Sequence, residues 1–409
     1  MIINHYAGSD KYGMEFRPFY LSRELVKLGH DVTVIAADCS HLRKNNPVID
    51  KSFTEEIIES VRYVFLRTVK YQRNNVKRIL NMMSFLLQLK MNSKMLYKRY
   101  LPDIIIASST YPYDVKSAKN IAKFGENTKV CYEIHDIWPL SLIEIYKINP
   151  KNPYMKSLQR AENFAYNNAD LVVSILPDVN RHIEELGFYN TNYVHIPNGI
   201  IVDDKSNLPA PNFILDEVKQ LKAKGKFILM YLGGFSQANA LDDLFDSAKK
   251  MPEEVQIMMV GDGPLKEQYK EKIKLNSITN ISLMESVLKS QVNSTLKLAD
   301  TLYIGAKRTK LYQYGVGMNK IFDYMLAKRP ILYGIEASNN MITDASCGIT
   351  IEPESAEAIV EGTKQLLSQN ESSLNAMGQN GYEYVLENHD YTKLAKRFID
   401  AINGCGGQE

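Results

Sequence analysis

The chain is predicted to be an α/β protein of two doubly wound, Rossmann-like domains facing a cleft. Three observations carry this. Strand-like and helix-like segments alternate from one end to the other, in two successive runs. The strand-like segments are short, apolar and rich in Val and Ile, as parallel strands buried on both faces must be. The runs are separated at 198–212, NGIIVDDKSNLPAPN, a stretch of Asn, Asp and Pro without hydrophobic period that reads as a linker. With 409 residues the chain has room for two domains of ordinary size.

In the first run, 1–6 reads as a strand, followed by a glycine-bearing loop and a helix over 16–28 that Gly29 ends. Further strands are expected at 30–37, 63–67, 103–108, 129–135, 169–176 and 193–197, with helical segments between most of them. In the second run strands are expected at 227–233, 255–261, 280–284, 301–305, 330–334 and 348–351, with helices at 241–250 and 265–275 among those between them. The tail 373–404 reads as helices only. The domain boundaries that follow are 1–200, a linker at 201–212, and 213–389, with a terminal helix at 390–409 packing back on the first domain.

Bulk composition excludes several classes. A hydrophobic content of 45% and a charged content of 23% are those of a globular protein with a full core. The net charge of +2 leaves no global excess for nucleic acid, so any functional charge is local. Cys39, Cys131, Cys347 and Cys405 show no CxxC spacing, which points away from a zinc site or disulfide framework and toward a reducing, cytoplasmic setting. No run of about 18 apolar residues suggests a spanning helix, and the N-terminus lacks the pattern of a signal peptide.

Four segments could carry chemistry. The loop from Gly8 to Gly13 lies between the first strand and its helix, where N–H groups favour anions, although a tight βα turn explains it equally. YEIHDIWP, 132–139, ends a strand on His135 and Asp136, a pair suited to a sugar hydroxyl or phosphate at the carboxyl end of a sheet. The plain alternative is a turn histidine and an Asp cap. VGDGPL, 260–265, is strand, glycine turn and helix start, with Gly261 and Gly263 opening the turn and Pro264 expected at the first helical position. YGVGMNKIFDYMLAKRP, 314–330, places Gly315 and Gly317 in a loop, Asn319 as a helix cap, and Lys320 in the first turn, where a cation opposes the helix dipole unless an anion binds there. Asp323, one turn on, could accept hydrogen bonds from ribose hydroxyls. Both charges could instead be solvated on an exposed face.

One stretch is biased in charge. Residues 60–102 hold ten basic side chains (Arg62, Arg67, Lys70, Arg73, Lys77, Arg78, Lys90, Lys94, Lys98 and Arg99) and no acid, and 76–96 is also rich in Leu, Met, Ile and Phe. Such a helix either lies on an anionic membrane surface or packs on a core with a solvated basic rim. No Asp-x-Asp triplet, Walker A, GxSxG or HExxH occurs, so no metal-diphosphate clamp is suggested, and stabilisation of a leaving group by helix N-termini and lysines is the consistent alternative.

Taken in order, NHYAGSDKYGMEFRPFYLSRELVKLGHDVTVIAA, YEIHDIWPLSLIE, IPNGI, LGGFSQANALDDL, VGDGPLKE and NKIFDYMLAKRPIL resemble the retaining GT-B glycosyltransferases of the bacterial surface-polysaccharide family, glycosyltransferase family 4. Within it the chain is similar to the WbuB-like branch, which transfers N-acetyl-fucosamine and related amino sugars. The resemblance implies that Gly13 faces donor phosphates and acceptor, that His135 and Asp136 face the sugar, and that Asp323 is the second acid of a Glu-x7-Glu motif. It also shows departures. The first acid falls on Gly315, and the Arg and Lys that grip the diphosphate fall on Gly234 and Asn239. Lys320, with Lys307 or Arg308, is expected to take over their charge.

The expected activity is therefore transfer of a sugar from a nucleotide donor, with UDP the first expectation, to a lipid-linked saccharide in capsule, O-antigen or exopolysaccharide synthesis. Anomeric retention is implied, and no metal or other cofactor is expected. His135, Asp136 and Lys320 are the expected catalytic residues. Gly13, Gly234, Asn239, Gly261, Gly263, Gly317, Asn319 and Asp323 are expected at the donor. Arg78, Lys90, Lys94, Lys98 and Arg99 are expected at an anionic membrane surface, on the inner face of the cell membrane. A sugar-nucleotide 2-epimerase and a non-catalytic partner subunit are the alternatives on the same fold.

Overall fold

A computed structural model of the chain describes residues 1–71, 76–202 and 208–404. Arg73, the centre of the expected linker and Cys405 lie outside the described residues. The chain divides into two compact units, one of residues 1–198 with 391–409, the other of residues 199–390.

The first unit is an eight-stranded sheet in the order β3-β4-β2-β1-β5-β6-β7-β8. The strands are β1 Ile2–Ile3, β2 Thr33–Ala37, β3 Thr54–Ile58, β4 Val61–Leu66, β5 Ile104–Ala107, β6 Lys129–Ile134, β7 Leu171–Ser174 and β8 Tyr193–His195. All neighbours are parallel except β3 and β4. β2 is buried along its whole length, as a central parallel strand requires. The second unit is a six-stranded, all-parallel sheet in the order β11-β10-β9-β12-β13-β14. Its strands are β9 Phe227–Leu232, β10 Val255–Val260, β11 Ile281–Met284, β12 Thr301–Gly305, β13 Ile331–Gly334 and β14 Gly348–Thr350. Counted along the unit, that order is 3-2-1-4-5-6, the doubly wound pattern whose ligand crevice opens where the order reverses, beyond β9 and β12.

The first helix, α1 Arg17–Lys27, stops where its glycine predicts. Gly29 adopts φ +94°, and the amides of Gly29 and His30 fold back onto the carbonyls of Val26 and Leu25. The next four helices are α2 Val76–Met91, α3 Ser93–Tyr100, α4 Tyr113–Ala122 and α5 Leu140–Tyr146. The terminal helix Tyr391–Gly404 lies in the first unit: Thr392 reaches Glu24 of α1, and Arg397 reaches the carbonyl of His195.

Three local expectations need correction. The expected strand 1–6 is regular only over Ile2–Ile3, because the amide of His5 bonds the hydroxyl of Ser109 instead of a strand carbonyl. The edge strand β3 has no counterpart in the sequence reading. Its run TEEII does not alternate, and the hairpin to β4 turns through Glu59 and Ser60 at φ +45° and +71°, without the Asn or Gly such turns prefer. The helical segment 76–96 is two helices, broken at Asn92, whose side chain bonds the carbonyl of Gln88.

Candidate functional site

In the second unit the chain leaves β9 through Gly233, Gly234 and Phe235, and leaves β10 through Gly261, Asp262 and Gly263. The two loops interlock. The Gly233 amide donates to Val260 O at 3.0 Å, the Phe235 amide to Asp262 O at 2.8 Å, and the Leu265 amide to Phe235 O at 3.2 Å. A Cβ at Gly261 would lie 1.9 Å from Gly233 O, and one at Gly263 2.5 Å from Phe235 O, with both glycines at positive φ. Close backbone packing thus accounts for both glycines without a ligand. Pro264 is not the first helical residue. The helix is Lys266–Leu275, and Lys266, buried at its start, turns its ammonium onto Gly261 O at 3.0 Å and Glu285 at 2.6 Å.

The helix Asn319–Leu326 begins beside these loops. Asn319 is its first residue, not its cap. Met318 holds the cap position and supplies no side-chain acceptor, so the first-turn amides lack a side-chain cap. Lys320 reaches across to β9, where its ammonium lies 3.0 Å from Tyr231 Oη, 3.0 Å from Asn239 Oδ1 and 4.4 Å from the centroid of the Tyr231 ring. Gly233 makes room for it, since a Cβ there would come within 2.8 Å of Lys320 Cε. Asn239 in turn donates to Gly234 O at 2.9 Å and Ser236 Oγ at 2.9 Å. Gly234, Asn239 and Lys320 therefore form one cluster. Among the described residues no carboxylate lies within ion-pair distance of Lys320. Burial without a counter-charge pushes its pKa down to about 7.

Around this centre the other second-unit residues fall as follows. Gly315, at φ +98°, and Gly317 lie in the loop before the helix, which Asn339 holds by bonding both the amide and the carbonyl of Val316. Asp323 is held by Lys289, whose ammonium is 2.6 and 2.7 Å from its two oxygens. The Lys307 amide donates to Ala238 O, while Arg308 is taken up by Glu336 at 3.1 Å and Glu352 at 2.9 Å. Of the three cations expected to share the diphosphate charge, Arg308 is thus already paired with acids. The sequence places Tyr324 on this helix but gives it no role. Its hydroxyl accepts from the Leu232 amide at 2.7 Å and donates to the Leu232 carbonyl at 3.1 Å, fastening this helix to the end of β9.

In the first unit the Gly8–Gly13 loop closes on itself. A Cβ at Gly8 would sit 1.8 Å from Gly13 O, and one at Gly13, at φ +93°, would sit 2.9 Å from the Lys44 amide nitrogen. Tyr63 Oη donates to Gly8 O, and Arg43 to Ala7 O. His135 lies just beyond β6, its Nε2 3.0 Å from Glu133 Oε2 and 3.0 Å from Ser108 Oγ. Glu133 is fully buried and forms an ion pair with Arg17 Nη2 at 2.9 Å; Arg17 also donates to the carbonyls of Ile196 and Pro197. Burial alone would raise the Glu133 pKa, but the Arg17 charge and the bonds from His135 and Ser108 override it and hold the carboxyl well below the usual range. Asp136 accepts from Trp138 Nε1 at 3.1 Å within its own loop and from the hydroxyl of Ser141 in the first turn of α5, which begins at Leu140. Arg17, Glu133 and Ser108 were not singled out from sequence. Arg17 and Glu133 are 116 residues apart, and no local pattern joins them.

The basic segment is less free than its composition suggests. Arg62 pairs with Asp31, Lys70 with Asp38 and Arg99 with Glu55, all acids from outside the segment. Arg99, expected at the membrane surface, is thus an ion-pair partner of Glu55. Arg78 lies 5.8 Å from the ring centroid of Tyr6. Lys90, Lys94 and Lys98 are exposed and lack ion-pair partners among the described residues. No described helix is long and apolar enough to cross a membrane.

Two doubly wound units, one with a cation held at its topological switch point, define a nucleotide-type α/β fold. Comparison with known proteins makes this specific. The family described as Glycosyltransferase Family 4 matches residues 12–204, and that described as Glycosyl transferases group 1 matches residues 213–384. The chain is a GT-B glycosyltransferase built from these two family domains. It is similar to the probable glycosyltransferase WbjE of Pseudomonas aeruginosa, with 20% identity over 332 residues covering 77% of this chain and 80% of that one. Among solved structures, sucrose-phosphate synthase of Thermosynechococcus elongatus superposes with a TM-score of 0.71 at 15% identity, covering 98% of each chain. Anabaena HepE in complex with UDP-glucose superposes with a TM-score of 0.66 at 13% identity, covering 99% of this chain and 100% of that one.

Proposed function

We propose that the chain transfers a sugar from a UDP-sugar to a lipid-linked saccharide in the synthesis of a bacterial surface polysaccharide. The reading includes retention at the anomeric carbon, no metal requirement, and N-acetyl-fucosamine or a related amino sugar as the group moved. The sugar and acceptor rest on the resemblance of the motifs; the choice of UDP is supported by HepE, whose complex contains UDP-glucose. The observation that carries the donor site is Lys320, a largely desolvated ammonium with no carboxylate, beside an uncapped helix N-terminus at a switch point. A diphosphate supplies the missing counter-charge and accepts from the first-turn amides of Asn319 and Lys320.

The chemistry follows from that placement. As the bond from the anomeric carbon to the diphosphate oxygen breaks, its electron pair leaves with the diphosphate. Lys320 and the first-turn amides stabilise the charge that builds there. An acceptor hydroxyl forms the new bond to the anomeric carbon and gives up its proton to the departing diphosphate oxygen. His135, oriented by Glu133 and Ser108, hydrogen-bonds the sugar. Asp136, tied to Trp138 and to the first turn of α5, holds the His135 strand end in place. Asp323 binds the ribose once Lys289 yields it. Arg78, Lys90, Lys94 and Lys98 draw the first unit to an anionic surface, on the inner face of the cell membrane.

A thermal-shift screen against UDP-, GDP- and dTDP-sugars tests the donor. A ligand at about 100 times its Kd adds roughly 2.7 kcal/mol of stability. Stabilisation by UDP-sugars that disappears in Lys320→Ala is the expected result; no shift with any nucleotide sugar defeats the reading. Product analysis with donor alone separates transfer from 2-epimerisation, and binding without turnover marks a non-catalytic subunit.

A further inference from the structure

The helix α2 is apolar on two opposite faces. Met82, Phe85 and Leu89 are buried against the first unit. Val76, Leu80, Met83, Leu87 and Met91 are 70%, 50%, 52%, 55% and 74% exposed. At about 100° per residue these five fall within a sector of roughly 80°, opposite the buried one. A surface helix normally carries charged and polar side chains there. Residues 76–100 contain no Asp or Glu, and Lys90, Lys94 and Lys98 stand exposed along the same segment.

We propose that the outer face of α2 is a bilayer-docking surface, whose stripe Val76–Leu80–Met83–Leu87–Met91 inserts at the headgroup boundary of an anionic membrane while the lysines meet lipid phosphates. This extends the membrane part of the reading above from attraction by charge to insertion, and it is independent of the donor site. The charge pattern selects the occupant, since an apolar stripe flanked by cations and free of acids complements an anionic lipid surface. The placement also has a consequence for the acceptor. Asn81, on the inner side of α2, accepts through Oδ1 from His5 Nε2 at 2.6 Å, directly beyond β1. Insertion therefore brings the carboxyl end of β1 within about one helix diameter, roughly 10 Å, of the bilayer, where a lipid-linked saccharide presents its sugar.

The test is flotation of the full chain with vesicles of phosphatidylglycerol and phosphatidylethanolamine, or of phosphatidylcholine, at low and high salt. Leu80→Asp/Met83→Asp/Leu87→Asp is compared with Lys90→Glu/Lys94→Glu/Lys98→Glu, with folding checked by melting temperature and the donor site by the UDP-sugar thermal shift. The wild type is expected to float with anionic vesicles and to keep part of its binding in high salt. The aspartate variant is expected to lose about tenfold or more in partitioning while its melting and UDP-sugar shift stay unchanged. In Leu87→Trp, dibrominated acyl chains are expected to quench the new indole beyond any quenching of Trp138 in the wild type. Three results overturn the proposal: no flotation of the wild type, binding abolished only by charge reversal with the aspartate variant unaffected, or a wild-type dimer that the aspartate substitutions convert to monomer. The last would assign the stripe to a second copy of this chain.

Discussion

The two units treat buried charge in opposite ways. In the first, the Arg17 guanidinium is met by Glu133 and by two carbonyls, so nothing is left for a ligand to satisfy. In the second, the Lys320 ammonium has a phenol, an amide oxygen and an aromatic face, but no acid among the described residues. A cation compensated inside the fold holds structure, whereas one left uncompensated beside a loop is, on the function proposed above, completed by an incoming anion. Asp114 is a third case. It is fully buried, one oxygen accepts from the Ser109 amide and the other has no partner, and burial pushes its pKa up to about 7.

The largest effect that would sharpen this contrast is on stability. Arg17→Met leaves Glu133 buried without its counter-ion and is expected to cost about 3–5 kcal/mol, read as a fall in the melting temperature of the first unit. If Arg17→Met melts like the wild type, the pair is not what holds β6 to α1.

Next comes Lys320→Ala. It is expected to lower kcat/KM by about 2–4 kcal/mol, the loss typical of one charge-stabilising donor, with stability nearly unchanged. The same site has a pH signature. The ammonium must be protonated to meet a diphosphate, and its free-state pKa is about 7. Donor affinity is therefore full below that pH and weakens as pH rises above it, by up to tenfold per unit. Donor binding measured from pH 6 to pH 9 checks this, and a flat profile separates Lys320 from the diphosphate.

Asp114 is expected to show a smaller effect of the opposite kind. Its folded pKa is raised, so the stability it allows is full below about pH 4 and falls as pH rises toward about 7. Asp114→Asn should level that fall and gain roughly 1–3 kcal/mol at neutral pH, the range for an unsatisfied buried group. Melting curves at pH 5 and pH 8 for both proteins decide it.

The smallest expected change is at Lys289. Its pair with Asp323 is partly exposed, so Lys289→Ala should alter stability by no more than about 1 kcal/mol. Asp323→Asn should raise the donor KM with little change in kcat if the carboxylate grips ribose. Equal falls in kcat and kcat/KM would move Asp323 into the transition state instead.

Much of this was legible in the residues, and the limits are physical. Alternating apolar runs predicted an α/β fold in two parallel-sheet units, because strands buried on both faces must be apolar throughout. Gly29 marked a helix end because only glycine takes that backbone without penalty. The loops holding Gly13, Gly261 and Gly263 were visible too, but their tight turns proved to be required by backbone packing. Asn319 looked like a cap because capping residues are recognised by type, and its neighbour Met318 took the position.

What the sequence by itself determined, then, was the periodicity: which segments become strands and helices, where glycine permits turns, and where cations outnumber acids. Only the tertiary structure decided which charges are answered. Glu55 and Asp31 come from outside the basic segment to neutralise Arg99 and Arg62, Glu133 comes from 116 residues away to Arg17, and among the described residues no acid comes to Lys320. Local pattern governs backbone conformation over a few residues, whereas the cost of a buried charge depends on whatever the folded chain places within a few ångströms of it, however distant in sequence.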